Sequence, residues 1–186
     1  PKAPKESKEK KLRKWLFYLS KYVEVVPFAE EFISYGGLSK ICDINQEASD
    51  TVKNEAMKSL IILENGFEDV EALATIDILR RSKIDVTTAS FSANKIQTQS
   101  GHNIESQKLV KDLDLSDYAF LIIPGGKAVF NYLDKQPMVD DVIDYFYNSN
   151  KLICAICAAP LLIGKRGYFK GLKYTCFPGC DEKITD

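Results

Sequence analysis

Three apolar runs, each closing on a turn, constrain this chain more than any other feature. They are "SLIILENG" (59–66), "YAFLIIPGG" (118–126) and "KLICAICAAP" (151–160). Such short runs, rich in Ile and Leu, read as strands buried on both faces of a sheet. Between them lie a helix roughly over 68–82 ending in "RRSK", a strand "IDVTTASF" at 84–91, strand-like pieces near 96–105, and a helix around 137–148. Apolar strands alternating with amphipathic helices predict an α/β fold with a mostly parallel sheet covered on both sides. In such sheets chemistry gathers at the carboxyl ends of the strands, where "ENGFEDVE", "PGGKAVF" and "CAAP" fall.

The first 56 residues have a different texture. Residues 1–14 carry seven Lys/Arg against two Glu, which reads as a solvated basic tail rather than a nucleic-acid arm, since it has no aromatics. Leu12, Trp15, Leu16, Leu19 and Val23 recur at helical spacing, and "FAEEFISYGGLSKICDI" reads as two short helices around a Gly-Gly break. This stretch weakly resembles one armadillo-type helical repeat of formin regulatory regions. Residues 45–56 are polar and linker-like. The expected organisation is thus a helical appendage over 1–56 and an α/β domain over 57–186. Because the chain begins with Pro1, its N-terminus is expected to be processed, truncated or joined to something else.

Charge and cysteine content narrow the function classes. A formal net charge of −1 gives no bulk attraction to nucleic acid or an anionic membrane, and no apolar run approaches the roughly 20 residues that span a bilayer. Five cysteines, an odd number with no secretory signal before them, favour reduced thiols and a cytoplasmic setting over a disulfide framework.

Cys157 stands where a strand ends and a helix opens at Pro160, a nucleophile-elbow arrangement with sulfur in place of oxygen. The helix start is expected to lower its pKa. Read locally, Cys157 is equally a small buried hydrophobe. Gly125 and Gly126 allow a backbone to approach a ligand with its amides turned inward, or are simply a turn. Glu68, Asp69 and Glu71 suit the first turn of a helix, and one of them facing the thiol would be its proton partner. His102, the chain's single histidine, lies in a polar turn, so a Cys–His dyad would have to recruit it.

Two rival readings of the cysteines fit less well. Cys154, Cys157, Cys176 and Cys180 run C-x2-C-x18-C-x3-C, superficially a zinc pattern, but the first pair is embedded in an apolar strand rather than a polar knuckle. A thioredoxin-like pair would place both cysteines at a helix start, whereas Cys154 lies within the strand.

The segments "LIILENGFEDVEALATIDILRRSKIDVTTAS", "LIIPGGKAVFNYL", "KLICAICAAPLLIG" and "GLKYTCFPGCDEKI" together resemble the ThiJ/PfpI superfamily, closest to its Parkinson-disease-protein branch of deglycases and oxidative-stress sensors. The resemblance covers 57–186. It implies a flavodoxin-like α/β sandwich, commonly a homodimer, that uses no metal and no organic cofactor. It implies a reactive Cys157 hydrogen-bonded by a protonated Glu71, and a pocket lined by the amides of Gly125, Gly126 and Ala158. The implied activities are glyoxalase or deglycase action on small reactive carbonyls and glycated adducts, or redox sensing. Other branches are Cys–His peptidases or amidases. This sequence departs from the pattern in two places. Phe177 stands where some members carry a histidine, which disfavours the peptidase chemistry and leaves Cys176 as an accessory thiol. Family members also continue past the equivalent of Asp186, so the domain is expected to be incomplete at its C-terminal end. The competing expectation is a non-enzymatic binding or scaffold protein in which the helices of 1–56 mediate interaction.

Overall fold

The computed structural model describes residues 58–184, so the expected helical appendage over 1–56 lies outside the described residues. Among the described residues, seven strands and four α-helices follow in order: β1 (Lys58–Ile62), α1 (Asp69–Arg81), β2 (Asp85–Ser90), β3 (Lys95–Gln97), β4 (Asn103–Glu105), β5 (Lys108–Leu109), β6 (Phe120–Ile123), α2 (Lys127–Asn131), α3 (Pro137–Asn148), β7 (Leu152–Ala155) and α4 (Pro160–Gly164). Five strands form one parallel sheet in the order β5-β2-β1-β6-β7, and β3 and β4 make a separate antiparallel hairpin.

The helices form where their sequences dictate. Glu68 caps α1, its carboxylate accepting the Glu71 N–H at 2.8 Å. Asp69 and Glu71 occupy the first turn and Arg80 and Arg81 the last, each complementing the helix dipole. Ala72, Ile76 and Leu79 recur at helical spacing and are buried. α3 opens on Pro137 and buries Val139, Val142, Ile143 and Phe146. Between the helices, Leu60 and Ile61 of β1 and the four residues of β6 are buried on both faces. Together they give the flavodoxin-like α/β architecture expected from the sequence.

One strand differs from expectation. The run 151–157 reads as buried, yet all seven of its residues are half-buried. The reason is position: β7 pairs only with β6 among the described residues, leaving its outer edge open. Cys154 still turns its thiol inward, where burial pushes it up to about 11.

Crossing from β2 over to β6, on the other side of β1, places a topological switch point at the carboxyl ends of β1 and β6. The turn after β1 is fixed by Glu64, a buried carboxylate. It accepts the N–H groups of Asn65 (2.9 Å), Phe91 (3.1 Å) and Ser92 (3.0 Å) and the Ser92 hydroxyl, tying that turn to the loop after β2. Glu64→Ala strands those donors and is expected to lower unfolding free energy by about 3 kcal/mol in urea titration, against no measurable change if the network contributes nothing.

Candidate active site

Three turns meet at the switch point. The turn after β1 is bound to the turn after β6 by Glu68 N–H to Gly125 O (3.1 Å) and Ala128 N–H to Gly66 O (3.1 Å). Gly126, at φ 95°, is packed so closely that a Cβ there would lie 2.5 Å from Glu68 N and 2.6 Å from Gly66 O. At Gly125 a Cβ would sit 2.7 Å from the Cys157 Cβ and 2.9 Å from Glu71 Oε2. Both positions therefore exclude a side chain, and the Pro-Gly-Gly sequence is what lets the third turn, after β7, close on the other two.

That third turn carries Cys157 at φ 59°, in the left-handed region that a residue with a Cβ enters at a cost of order 1–2 kcal/mol. The strained elbow lifts the thiol out of the strand path, and α4 begins three residues later at Pro160. Sulfur receives hydrogen bonds from the backbone amides of Gly126 and Ala158 and shares a hydrogen bond with the Glu71 carboxyl group. Glu71 in turn accepts the Gly125 N–H at 2.7 Å.

Of the five residues expected in the pocket, four therefore converge on sulfur: Cys157 itself, Glu71, Gly126 and Ala158. The fifth, Gly125, does something else. Its amide is expected to face a substrate oxygen but is committed to Glu71 Oε2, because the carboxylate lies directly beneath that turn. Two amides rather than three are left at the sulfur. The Cys176 thiol is pushed up by burial and by the charges of Cys180 and Asp181, its immediate electrostatic neighbours. Its closest link to the site is through the next residue, whose N–H reaches the Cys157 carbonyl.

The electrostatics overturn one expectation. The helix start is expected to lower the Cys157 pKa, but burial and then the Glu71 carboxylate push the thiol up to about 11, outweighing the amides of Gly126 and Ala158. α4 has only five residues, a short source of dipole. Burial also raises the Glu71 carboxyl, helped by the neighbouring Glu68 charge, while the Gly125 amide pulls the other way. Burial thus pushes both members of the pair toward their protonated forms. The raised Glu71 carboxyl is in the direction expected of a protonated Glu71, while the raised thiol is opposite to the lowering expected from the helix start.

The acidic trio divides its work. Glu68 caps the helix, Glu71 faces the thiol, and Asp69 holds the β3–β4 hairpin. Asp69 accepts the Ser100 N–H at 3.2 Å and pairs with His102 Nδ1 at 3.0 Å. Burial pushes the Asp69 carboxyl up, but hydrogen bonds from Ser100, Thr98 and His102 prevail and hold it well below the usual range. The single histidine is thus engaged by Asp69 and Ser100 on the hairpin. Sequence reasoning missed the hairpin's part in the site. Gln99 accepts the Lys127 N–H at 2.9 Å at the start of α2, and its own N–H reaches the Phe67 carbonyl at 2.8 Å. No local signal marks Gln99, because its partners lie 28 and 32 positions away. Among the described residues no group of three or more His, Cys, Asp or Glu side chains is placed to hold a metal ion.

A parallel sheet with a cysteine elbow at its switch point defines a class of α/β proteins built around one thiol and a carboxylate partner. The chain belongs to the DJ-1/PfpI family, whose model matches residues 57–186. It is 34% identical to the Drosophila melanogaster protein DJ-1alpha over 133 residues, covering 70% of this chain and 61% of that one. It is 32% identical to DJ-1 homolog B of Arabidopsis thaliana over 73% of this chain but only 32% of that protein. A deglycase of Pyrococcus horikoshii is 26% identical over 69% of this chain and 76% of that one. The structure of oxidised Toxoplasma gondii DJ-1 superposes with a TM-score of 0.64 at 26% identity, covering 70% of this chain and 72% of that one.

The shared proton makes a testable prediction. Alkylation of Cys157, followed by peptide mass spectrometry, is expected to rise with pH toward a midpoint near 11. Removing the negative neighbour favours ionisation, so Glu71→Gln is expected to bring the midpoint down. Labelling at pH 8 then accelerates about tenfold for each pH unit by which the midpoint falls. A midpoint that moves up in Glu71→Gln would show that Glu71 stabilises the thiolate.

Proposed function

We propose that this chain is a cofactor-independent, cysteine-dependent enzyme of the glyoxalase or deglycase type, acting on small α-oxoaldehydes and their glycated adducts. The observation that carries the reading is the Glu71 carboxyl group hydrogen-bonded to the Cys157 sulfur, with two backbone amides aimed at the same atom. Cys157 Sγ attacks the aldehyde carbon as Glu71 takes the thiol proton, so no free thiolate is required beforehand. The amides of Gly126 and Ala158 stabilise the oxygen as it gains charge. Glu71 passes the thiol proton to that oxygen and, a base again, moves the proton of the former aldehyde carbon to the adjacent carbon while the hydroxyl proton goes to the ketone oxygen; water then releases a hydroxy acid from the resulting thioester and returns a proton to sulfur. Methylglyoxal plus water gives lactate, with no net oxidation. Raising the carboxyl's pKa by burial strengthens it as a base for this sequence.

Redox sensing is the weaker use of this geometry, since a thiol whose pKa is pushed up offers less of the thiolate that oxidises. Cys–His peptidase chemistry is weaker still, because the side chain that faces the Cys157 sulfur is Glu71, whereas His102 pairs with Asp69 and Ser100 on the hairpin. Among the described residues no helix is long and apolar enough to cross a membrane. Cys154, Cys157, Cys176 and Cys180 are free thiols, which supports a reducing, cytoplasmic setting. Val70 and Leu73 are 50% and 40% exposed on one face of α1, which supports a homodimer formed through that face. Leu73→Glu is expected to shift the molar mass from dimer to monomer in light scattering; a monomeric wild type would refute the dimer.

Methylglyoxal turnover tests the enzyme reading. Cys157→Ser is expected to fall to the uncatalysed rate, and Glu71→Gln to lose about 100-fold or more in kcat despite its more acidic thiol. Wild-type turnover no faster than buffer, or unchanged in Cys157→Ser, would overturn it.

A further inference from the structure

One of the two amides at the sulfur, that of Gly126, belongs to the peptide between two consecutive glycines. Neither residue has a Cβ to oppose rotation of that peptide, and Gly126 stands at φ 95°, a region glycine enters freely. The aim of its N–H at Cys157 is therefore imposed from outside. The carbonyl of the same peptide, Gly125 O, accepts the Glu68 N–H at 3.1 Å. The amides before and after it are held by side chains: Gly125 N–H by Glu71 Oε2 at 2.7 Å, and Lys127 N–H by Gln99 Oε1 at 2.9 Å.

Gln99 does what a capping residue ordinarily does. α2 starts on Gly126, which has no side chain to accept an amide of the first turn. Gln99 supplies that acceptor from 28 positions away in the chain. Its backbone is anchored before the side chain reaches out. Its own N–H donates to Phe67 O at 2.8 Å, and the Ser100 N–H beside it donates to Asp69 at 3.2 Å. Phe67 in turn bridges Thr98 on one side and Gly126 on the other. A side chain fixed at its base thus pins the residue directly after Gly126. Glu71 also touches sulfur and Glu68 acts through its backbone, so Gln99 is the anchor whose side chain acts on the Gly126 amide from a distance. It is exposed, so replacing it opens no core cavity.

We propose that Gln99 is a positioning residue for the reaction: by holding Lys127 N–H, its side-chain carbonyl keeps the Gly126 amide aimed at the Cys157 sulfur and at the oxygen that gains charge there. The inference rests on the enzyme reading above and adds to it a residue that acts only through another. With Lys127 N–H released, the Gly-Gly peptide samples orientations in which the Gly126 N–H leaves the sulfur. The thiol then loses a donor that favours its ionised form. The developing oxyanion loses one of its two donors. Removing such a donor outright costs about 100- to 1,000-fold in kcat, and loosening it costs less, about 10-fold.

The test uses the full chain with Gln99→Leu, which removes the acceptor at similar size, and Gln99→Glu, which keeps an acceptor oxygen at the same reach. In Gln99→Leu, kcat for methylglyoxal is expected to fall about 10-fold while KM stays within about twofold. Iodoacetamide alkylation of Cys157 at pH 8, read by peptide mass spectrometry, needs no turnover. It is expected to slow about 3- to 10-fold in Gln99→Leu as the thiol becomes a weaker acid. Gln99→Glu is expected to restore most of both, since its added charge is exposed and screened. A purely structural Gln99 would lower the melting temperature and leave kcat and alkylation at wild-type values, which overturns the proposal. So does a Gln99→Glu no better than Gln99→Leu. Slowed alkylation in a chain without turnover would sink the enzyme reading while leaving the positioning in place; wild-type turnover with kcat and alkylation unchanged in Gln99→Leu would do the reverse.

Discussion

Everything around the site depends on one carboxyl group, that of Glu71, which is held by the Gly125 amide at 2.7 Å and by the sulfur of Cys157. The first bond joins α1 to the turn after β6, and the second joins it to the turn after β7. Three pieces of chain far apart in sequence are thereby fixed on one half-buried group. Burial makes this arrangement consequential, since a carboxylate and a thiol withdrawn from water cannot both ionise cheaply. The same burial that raises both pKa values turns Glu71 into a competent base and Cys157 into a thiol that needs one.

The surrounding structure keeps that geometry from relaxing. Glu64 fixes the turn after β1 from below, and Asp69 and Gln99 fix it through the β3–β4 hairpin from the side. Gly125 and Gly126 allow the backbones to approach where any side chain would collide. Against this support the left-handed Cys157 is sustainable, as strained residues persist only where neighbours over-determine them. The fold and the site are therefore a single construction: a switch point between β1 and β6 that three turns lock shut.

Much of this is visible in the sequence. α3 is legible at 137–148 because Pro137 marks its start and the apolar residues recur at helical spacing, and α1 because an acidic first turn and a basic last turn bound it. The pairing of Cys157 with Glu71 is legible only through family resemblance, since 86 positions separate them and no periodicity links them. What sequence cannot supply is long-range partnership. The Gly125 amide has the local look of an oxyanion donor, yet its partner is a carboxylate 54 positions away. The sign of the Cys157 shift likewise depends on burial and a neighbouring charge, both properties of the assembled fold. Gln99 is invisible for the same reason.

Burial and mutual contact raise both the Glu71 carboxyl and the Cys157 thiol, and carbon-13 NMR of the Glu71 side-chain carboxyl tests this most directly. The signal is followed across pH in wild type and in Cys157→Ser. In wild type the carboxyl is expected to ionise above the ordinary glutamate range, then to respond a second time near pH 11 as the thiol ionises. In Cys157→Ser that second step is expected to be absent. A Glu71 that stays protonated through neutral pH while Cys157 is already a thiolate would contradict it.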